Sequence, residues 1–78
     1  MLVTLYSRPN CGLCNEAREV IVAEQARAGF DLEEIDITGN DELELEYGIR
    51  IPVIAIEGRE AFEIRVSAAE LAEALRNA

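Results

Sequence analysis

Apolar residues along the first half of the chain follow two spacings, one typical of strands and one typical of helices. The segment Leu2–Tyr6 is short and mostly apolar, which predicts a buried strand. From Gly12 to Ala28 apolar residues recur at the spacing of one helix face, and Gly29 follows as a stop. In Phe30–Ile37 they alternate imperfectly with acids, which predicts a second, more exposed strand. A strand, a helix and a strand in succession predict a parallel pair with a right-handed crossover.

The middle of the second half contains one ambiguous segment and one clear hairpin. Asn40–Tyr47 alternates like a strand, but Asn40 is a good helix cap and Gly48 follows as a stop, so we expect a short helix. The apolar segments Val53–Ile56 and Ala61–Val66 are separated by four residues of turn character. They predict an antiparallel hairpin.

The end of the chain carries a helix start signal. Ser67 with Glu70 three residues later is a capping box, and it precedes an amphipathic stretch whose apolar residues, Ala68, Leu71, Ala72 and Leu75, share a face. The predicted element order is therefore βαβαββα. With 78 residues and no linker or repeat, we expect residues 1–78 to form a single domain around one core.

Composition limits the classes of partner. No apolar run approaches the roughly 20 residues that span a bilayer, so we expect a soluble protein without a membrane partner. Sixteen acids against seven arginines, with a net charge of −9, disfavour binding to a phosphate backbone, so we expect no nucleic-acid partner. The N-terminal residues lack the features of a signal peptide, so we expect a cytoplasmic protein. We also expect it to be a monomer.

The two cysteines, Cys11 and Cys14, are the only ones in the chain and form a Cys-x-x-Cys element at the predicted start of a helix. Unpaired amides and the helix dipole favour a thiolate at Cys11, and Arg8 adds a positive charge nearby. Cys11 is therefore the expected nucleophile and Cys14 the resolving thiol. A structural disulfide and a metal site stay open as alternatives, although a closed zinc site needs four ligands and the chain has no histidine.

Pro52 is the second informative residue, because it stands directly before the apolar strand Val53–Ile56. A proline at a strand start loses no hydrogen bond, which is one interpretation. The other is a cis peptide between Ile51 and Pro52 that leaves the backbone groups of Ile51 free to pair with a substrate.

Together, the strand before Cys11–Cys14, the helix after it, Ile51 and Pro52 opening an apolar strand, and the βαβαββα order resemble a glutaredoxin. The resemblance implies an α/β fold of the thioredoxin-like class, a four-stranded mixed sheet flanked by helices. It also implies that Pro52 is a cis-proline facing Cys11, that Ile51 offers backbone hydrogen bonds to a bound thiol, and that Arg8 binds the glycyl carboxylate of glutathione.

The chain departs from the family pattern at two places. Gly12 and Leu13 stand between the cysteines where glutaredoxins usually carry proline and tyrosine. At the last helix the stretch Val66–Ala69 replaces the family's glycine-glycine-x-aspartate, so the side chain that would hold the ammonium group of glutathione is missing. Helix amides near Ser67 remain a possible position for a carboxylate.

These residues lead to one principal hypothesis and two alternatives. The principal one is a thiol-disulfide oxidoreductase acting on a disulfide-containing protein or on glutathione, with a reductase as electron donor, no tightly bound cofactor and glutathione as a co-substrate. The first alternative is an iron-sulfur cluster held through Cys11 by a glutathione-bridged dimer, which a small residue at Gly12 would accommodate. The second is an interaction module without catalysis, using the acidic stretch Asp31–Glu46.

Overall fold

The computed structural model describes residues 1–78 and contains four strands and three helices. In chain order they are β1 (Leu2–Ser7), α1 (Gly12–Ala28), β2 (Asp31–Asp36), α2 (Asp41–Tyr47), β3 (Val53–Ile56), β4 (Arg59–Glu63) and α3 (Ala68–Arg76). The order βαβαββα and the short helix after Asn40 are thereby confirmed. None of the three helices combines the length and the apolar character needed to cross a membrane.

The four strands form one mixed sheet in the order β2-β1-β3-β4. Strand β1 is parallel to β2, with Leu2 opposite Asp31, and antiparallel to β3, with Tyr6 opposite Val53. Strands β3 and β4 form the expected antiparallel hairpin. The predicted parallel pair is therefore present, and β2, the more exposed strand, lies at one edge of the sheet.

Helices cover both faces of the sheet. Side chains of a strand point to its two faces in alternation, so Val3 and Leu5 share one face and Tyr6 lies on the other. Nine buried residues form the main core, on the face that α1 and α3 cover: Val3, Leu5, Ala17, Ile21, Phe30, Ile54, Ile56, Leu71 and Leu75. On the opposite face Tyr6 stacks on Tyr47 of α2, with ring centroids 4.1 Å apart. Helix α2 therefore lies across the sheet from α1 and α3.

Two predicted strand boundaries were wrong. Strand β4 occupies Arg59–Glu63 instead of Ala61–Val66, because Glu57 and Gly58 both adopt positive φ, 51° and 81°, and close a two-residue turn. Ile56 consequently pairs directly with Arg59. Strand β2 is also shorter than Phe30–Ile37, because its six residues match the six of β1.

The two glycines predicted to end helices act differently. Gly29 adopts the left-handed conformation, with φ 71°, and its N–H donates to the Gln25 carbonyl, as expected of a helix stop. Gly48 directly follows the last residue of α2, as expected of a stop, but its conformation is right-handed, with φ −51°. Its small size has a steric reason instead, because a Cβ at this position would collide with the Glu44 carbonyl oxygen.

The buried face of α1 contains one charged residue that the apolar pattern did not predict. Cys14, Ala17 and Ile21 are buried as expected, but Glu24 is buried on the same face and Ala28, at the helix end, is exposed. The Glu24 carboxylate lies 3.5 Å from the guanidinium of Arg27. This ion pair supplies the charge partner that a buried carboxylate requires.

Polar contacts attach the edge strand β2 to the rest of the fold. The Glu34 carboxylate forms an ion pair with Arg18 of α1 and accepts a hydrogen bond of 2.8 Å from the Ser7 hydroxyl of β1. The hydrogen bond from Arg18, supported by the one from Ser7 and by the charge of Arg18, lowers the pKa of Glu34 from its usual value of 4.5 against the opposing effect of burial.

We expect Ile21→Ala to lower the free energy of unfolding by about 2–5 kcal/mol, because Ile21 is fully buried in the core and truncation leaves a cavity. Urea unfolding followed by circular dichroism measures the change. Val22→Ala is the matched control, since the neighbouring Val22 is about half exposed, and we expect a change within about 0.5 kcal/mol. If Ile21→Ala does not fold, Ile21→Val should still cost about 0.5–1.5 kcal/mol. Equal losses at positions 21 and 22 would contradict this core assignment.

We expect Arg18→Gln to raise the pKa of Glu34 toward 4.5, because it removes the main hydrogen bond that favours the carboxylate. A carboxyl with a lowered folded pKa stabilises the protein above the unfolded pKa, and this contribution is lost as pH falls through the folded value. The stability difference between wild type and Arg18→Gln should therefore shrink on acidification. NMR titration of the Glu34 carboxyl carbon measures the shift, and Arg27→Gln, which alters a different ion pair, should leave it unchanged.

Candidate active site

Cys11 is the N-cap residue of α1 and forms a disulfide with Cys14. The Cα atoms of the two cysteines are 5.2 Å apart, within the range that disulfides require. Cys11 is extended, with φ −109° and ψ 108°, and its Sγ accepts a hydrogen bond of 3.2 Å from the Cys14 N–H. Cys11 is partly accessible whereas Cys14 is fully buried, so only one sulfur can meet a substrate.

The surroundings of Cys11 favour negative charge on its sulfur when the pair is reduced. The first turn of α1 offers amide N–H groups without intrahelical partners, and it contains no acidic residue. Those amides and the helix dipole stabilise a thiolate at this position. Cys14, one turn further along, has no comparable exposure. The arrangement can support nucleophilic attack by Cys11 followed by attack of Cys14 on the Cys11 sulfur.

Pro52 lies at the same end of the sheet as Cys11. In the β1–β3 pairing Tyr6 is opposite Val53, so the preceding residue, Pro52, lies next to the end of β1, from which the chain leads to Cys11. The Ile51–Pro52 peptide is cis, as the resemblance implied, and Pro52 is buried while Ile51 is partly exposed. The Pro52 carbonyl accepts a hydrogen bond of 2.8 Å from Ile64 N–H.

Arg8 connects the loop before Cys11 to helix α2. Its Nη2 donates to Glu44 Oε1 at 2.5 Å and to the Gly48 carbonyl at 3.3 Å. Its Nε is buried and has no hydrogen-bond partner. Arg8 was expected to hold a substrate carboxylate, and in the structure a carboxylate of the protein itself occupies its guanidinium.

Arg50, two residues before Pro52, is paired with carboxylates in the same way. It donates to Glu60 at 2.9 Å and lies 3.6 Å from Glu63. Its guanidinium carbon lies 5.5 Å from the centre of the Tyr47 ring, within cation–π distance. These contacts hold the segment that leads into Pro52 against both the hairpin and α2.

A groove of about 290 Å³ runs beside Leu13, the residue that precedes Cys14, and we call it the Leu13 groove. Apolar side chains from α1 and from the segment after β4 form much of its lining, namely Leu13, Ala17, Val20, Ile64 and Val66, and the polar lining residues are Glu16, Arg65, Ser67 and Glu70. Ile64 has a φ of 71°, which is unusual for a β-branched residue and costs of the order of 1–3 kcal/mol.

Ser67 lines this groove, and both of its polar groups are already bonded. The Ser67 hydroxyl accepts from Glu70 N–H at 3.1 Å, and the Ser67 N–H donates to the Glu70 carboxylate at 3.0 Å. The predicted capping box is therefore confirmed. Glu70 thereby occupies one of the amides near Ser67 that were expected to attract a substrate carboxylate.

The structure brings Cys11, Cys14 and Pro52 to one end of the sheet, and glutamates of the protein pair with Arg8 and with one amide near Ser67, the two groups expected to hold the carboxylates of glutathione. Sequence reasoning missed Glu44, and no local pattern identifies it, since it lies 36 residues from Arg8. The structure contains no group of three or more His, Cys, Asp or Glu side chains that could hold a metal ion.

Curated proteins include relatives that are similar to this chain in sequence. An uncharacterised protein of Mycobacterium tuberculosis is 36% identical over 63 residues, which cover 74% of this chain, and the chain spans only 65% of that relative's length. A protein of Methanothermobacter thermautotrophicus named as a probable thioredoxin is 35% identical over 78 residues, covering 96% of this chain and 92% of the relative.

Solved structures show the same architecture. A structural genomics target from X. campestris, XcR50, superimposes with a TM-score of 0.84 at 38% identity, covering 97% of each chain. Thioredoxin 1 of Thermosipho africanus superimposes with a TM-score of 0.71 at 17% identity, covering 99% of this chain and 92% of the thioredoxin, which shows a shared fold. The profile of the glutaredoxin-like domain (DUF836) matches residues 2–76. The chain therefore belongs to the glutaredoxin-like domain family and has the thioredoxin-like fold.

Proposed function

We propose that this protein is a thiol-disulfide oxidoreductase in which Cys11 is the nucleophile and Cys14 the resolving thiol. The observation that carries the proposal is the asymmetry of the pair. Cys11 caps α1 and is partly accessible, whereas Cys14 is fully buried within reach of the Cys11 sulfur. Membership of the glutaredoxin-like family and the fold shared with thioredoxins support it.

The reaction transfers two electrons from the dithiol to a substrate disulfide. The Cys11 thiolate attacks one sulfur of the substrate, the substrate S–S bond breaks, and the first substrate thiolate leaves and takes up a proton. The Cys14 sulfur, as its proton is released, then attacks the Cys11 sulfur and expels the second substrate thiol. The substrate is reduced to two thiols and the protein is oxidised to the Cys11–Cys14 disulfide. An external thiol or a reductase returns the two electrons.

Pro52 and Ile51 are the proposed substrate-binding residues nearest to the reacting sulfurs. Because Pro52 lies next to the end of β1, the partly exposed Ile51 is placed beside the loop that carries Cys11. Its backbone N–H and C=O would then pair with the backbone on either side of a substrate cysteine. The Leu13 groove, which residues of α1 and of the start of α3 line, would offer apolar contact to the flanking substrate residues.

We expect the reduced protein to be alkylated by iodoacetamide at Cys11 at least about tenfold faster than at Cys14, because the thiolate at an accessible helix start is the reactive form. A short alkylation followed by peptide mass spectrometry measures the two rates. The same reaction in denaturant is the control, since both cysteines should then react at similar rates. Faster alkylation at Cys14 in the folded protein would reverse the assignment of nucleophile and resolving thiol.

Cys11→Ser should abolish the reduction of bis(2-hydroxyethyl) disulfide by stoichiometric reduced protein, since no other accessible thiol can begin the exchange. Cys14→Ser should instead accumulate a mixed disulfide at Cys11, because the resolving step is lost. Intact-protein mass spectrometry after acid quenching detects this adduct as one bound 2-mercaptoethanol.

The two serine variants control for each other, because they make the same chemical change one helical turn apart. Far-UV circular dichroism checks that both are folded. Reduction of the disulfide by Cys11→Ser at the wild-type rate would refute the mechanism. Absence of any reaction in reduced wild type would favour a binding module without catalysis.

A further inference from the structure

The most informative contact outside the cysteine pair is the ion pair between Arg8 and Glu44. Arg8 is three residues before Cys11, and its Nη2 lies 2.5 Å from Glu44 Oε1. A guanidinium can bind a carboxylate through two parallel hydrogen bonds. Here only Nη2 reaches Glu44, and the buried Nε is left without a partner. The guanidinium therefore pairs with Glu44 through a single nitrogen, and neither Nε nor Nη1 has a hydrogen-bond partner.

The start of α3 repeats this arrangement. The Ser67 N–H, which faces the beginning of the helix, donates to Glu70 Oε1 at 3.0 Å. Ser67 and Glu70 both line the Leu13 groove, next to the residue that precedes Cys14. A carboxylate of the chain therefore already offsets part of the positive charge at this helix start, which would otherwise attract an external anion.

Free positive charge near the cysteines is scarce. Arg18 is paired with Glu34 and Arg50 with Glu60, as described above. Asp36 also lies near Arg8. Hydrogen bonds from Thr38 are the main cause of the lowered pKa of Asp36, and the charge of Arg8 lowers it further. Arg65 is the one arginine that lines the Leu13 groove, and it forms no ion pair. Two glutamates, Glu16 and Glu70, line the same groove.

We propose that Glu44 and Glu70 are internal carboxylates that offset the positive charge of Arg8 and of the start of α3, so that the protein selects disulfides without negative charge near the reacting sulfurs. With Glu44 paired to Arg8, most of the charge of the guanidinium is neutralised, and a substrate carboxylate placed there also meets the like charge of Glu44, which repels it. The inference rests on the oxidoreductase function proposed above and specifies its substrate class.

The favoured substrates are therefore neutral or cationic disulfides, such as a protein disulfide flanked by basic residues. The net charge of −9 acts in the same direction, since an acidic surface raises the local concentration of cationic partners. Glutathione, which carries two carboxylates for each ammonium group, belongs to the disfavoured class. The two glutamates thus determine specificity and take no part in bond breaking.

Three small disulfides of similar shape test this selectivity: cystamine, which is dicationic, bis(2-hydroxyethyl) disulfide, which is neutral, and 3,3′-dithiodipropionate, which is dianionic. The second-order rate constant for oxidation of the reduced protein is measured for each by quenched-flow mass spectrometry. Dividing each variant's rate constant by that of wild type with the same disulfide cancels the intrinsic reactivity of the reagent.

We expect Glu44→Gln and Glu70→Gln each to raise the rate constant for the dianion relative to the neutral disulfide by about threefold to fivefold, the usual strength of a partly exposed charge interaction. Glutamine at position 70 can still accept the capping hydrogen bond, so α3 keeps its start. The ratio between two disulfides is the readout, because a defect in folding changes both rates together.

Glu42→Gln is the matched control. It makes the same change in net charge on the same helix, and Glu42 forms no ion pair, so the ratio should stay at the wild-type value. In an Arg8→Gln background the gain from Glu44→Gln should be smaller than in wild type, because only the like-charge repulsion is relieved and no guanidinium is left to bind the dianion.

A wild-type ratio in the double variant Glu44→Gln/Glu70→Gln overturns the proposal. So does an equal gain in Glu42→Gln, since the effect would then be one of overall charge. Failure of the wild-type protein to react with the neutral disulfide instead refutes the oxidoreductase function itself. The two failures are thereby distinguished.

Discussion

The position of β1 at the centre of the sheet is the constraint on which the rest of the structure depends. This strand is hydrogen-bonded on both sides, parallel to β2 and antiparallel to β3, and its Val3 and Leu5 are completely buried. The chain leaves the end of β1 toward Cys11, and the pairing of Tyr6 with Val53 places Pro52 at that same end. Two segments about forty residues apart in sequence are therefore brought together by backbone pairing alone.

Features encoded by neighbouring residues could be predicted from the sequence. The element order follows from apolar spacing, the cap of α3 from Ser67 and Glu70, and the exposed character of β2 from its acids. The position of Cys11 at a helix start could be predicted for the same reason, since the helix pattern begins directly after it. The end of β4 could not, because it depends on positive φ at Glu57 and Ile64, neither of which is a residue type that signals this conformation.

Features that depend on tertiary placement could not be predicted. Sixteen acids are available to seven arginines, so the sequence does not identify Glu44 as the partner of Arg8. The partnership follows from the alternation of side chains in β1, which directs Tyr6 toward the face that α2 covers. Because α2 covers this face, its turn that carries Glu44 lies next to the loop that carries Arg8. The family resemblance implied that Arg8 binds the carboxylate of a substrate, whereas in the structure Arg8 pairs with Glu44, a residue distant in sequence.

Helix α2 differs from the other two helices in how it is held. It buries none of its residues, and its attachment consists mainly of the Arg8–Glu44 ion pair, the stacking of Tyr47 on Tyr6 and the contact of Arg50 with the Tyr47 ring. Separating it from the sheet breaks these few contacts and exposes little of the main core, so local opening of this segment costs much less free energy than global unfolding. Pro52 follows α2 by only five residues. The proposed substrate-binding residues are thus joined to a weakly held helix, whereas the cysteines lie at the start of a helix that packs on the main core.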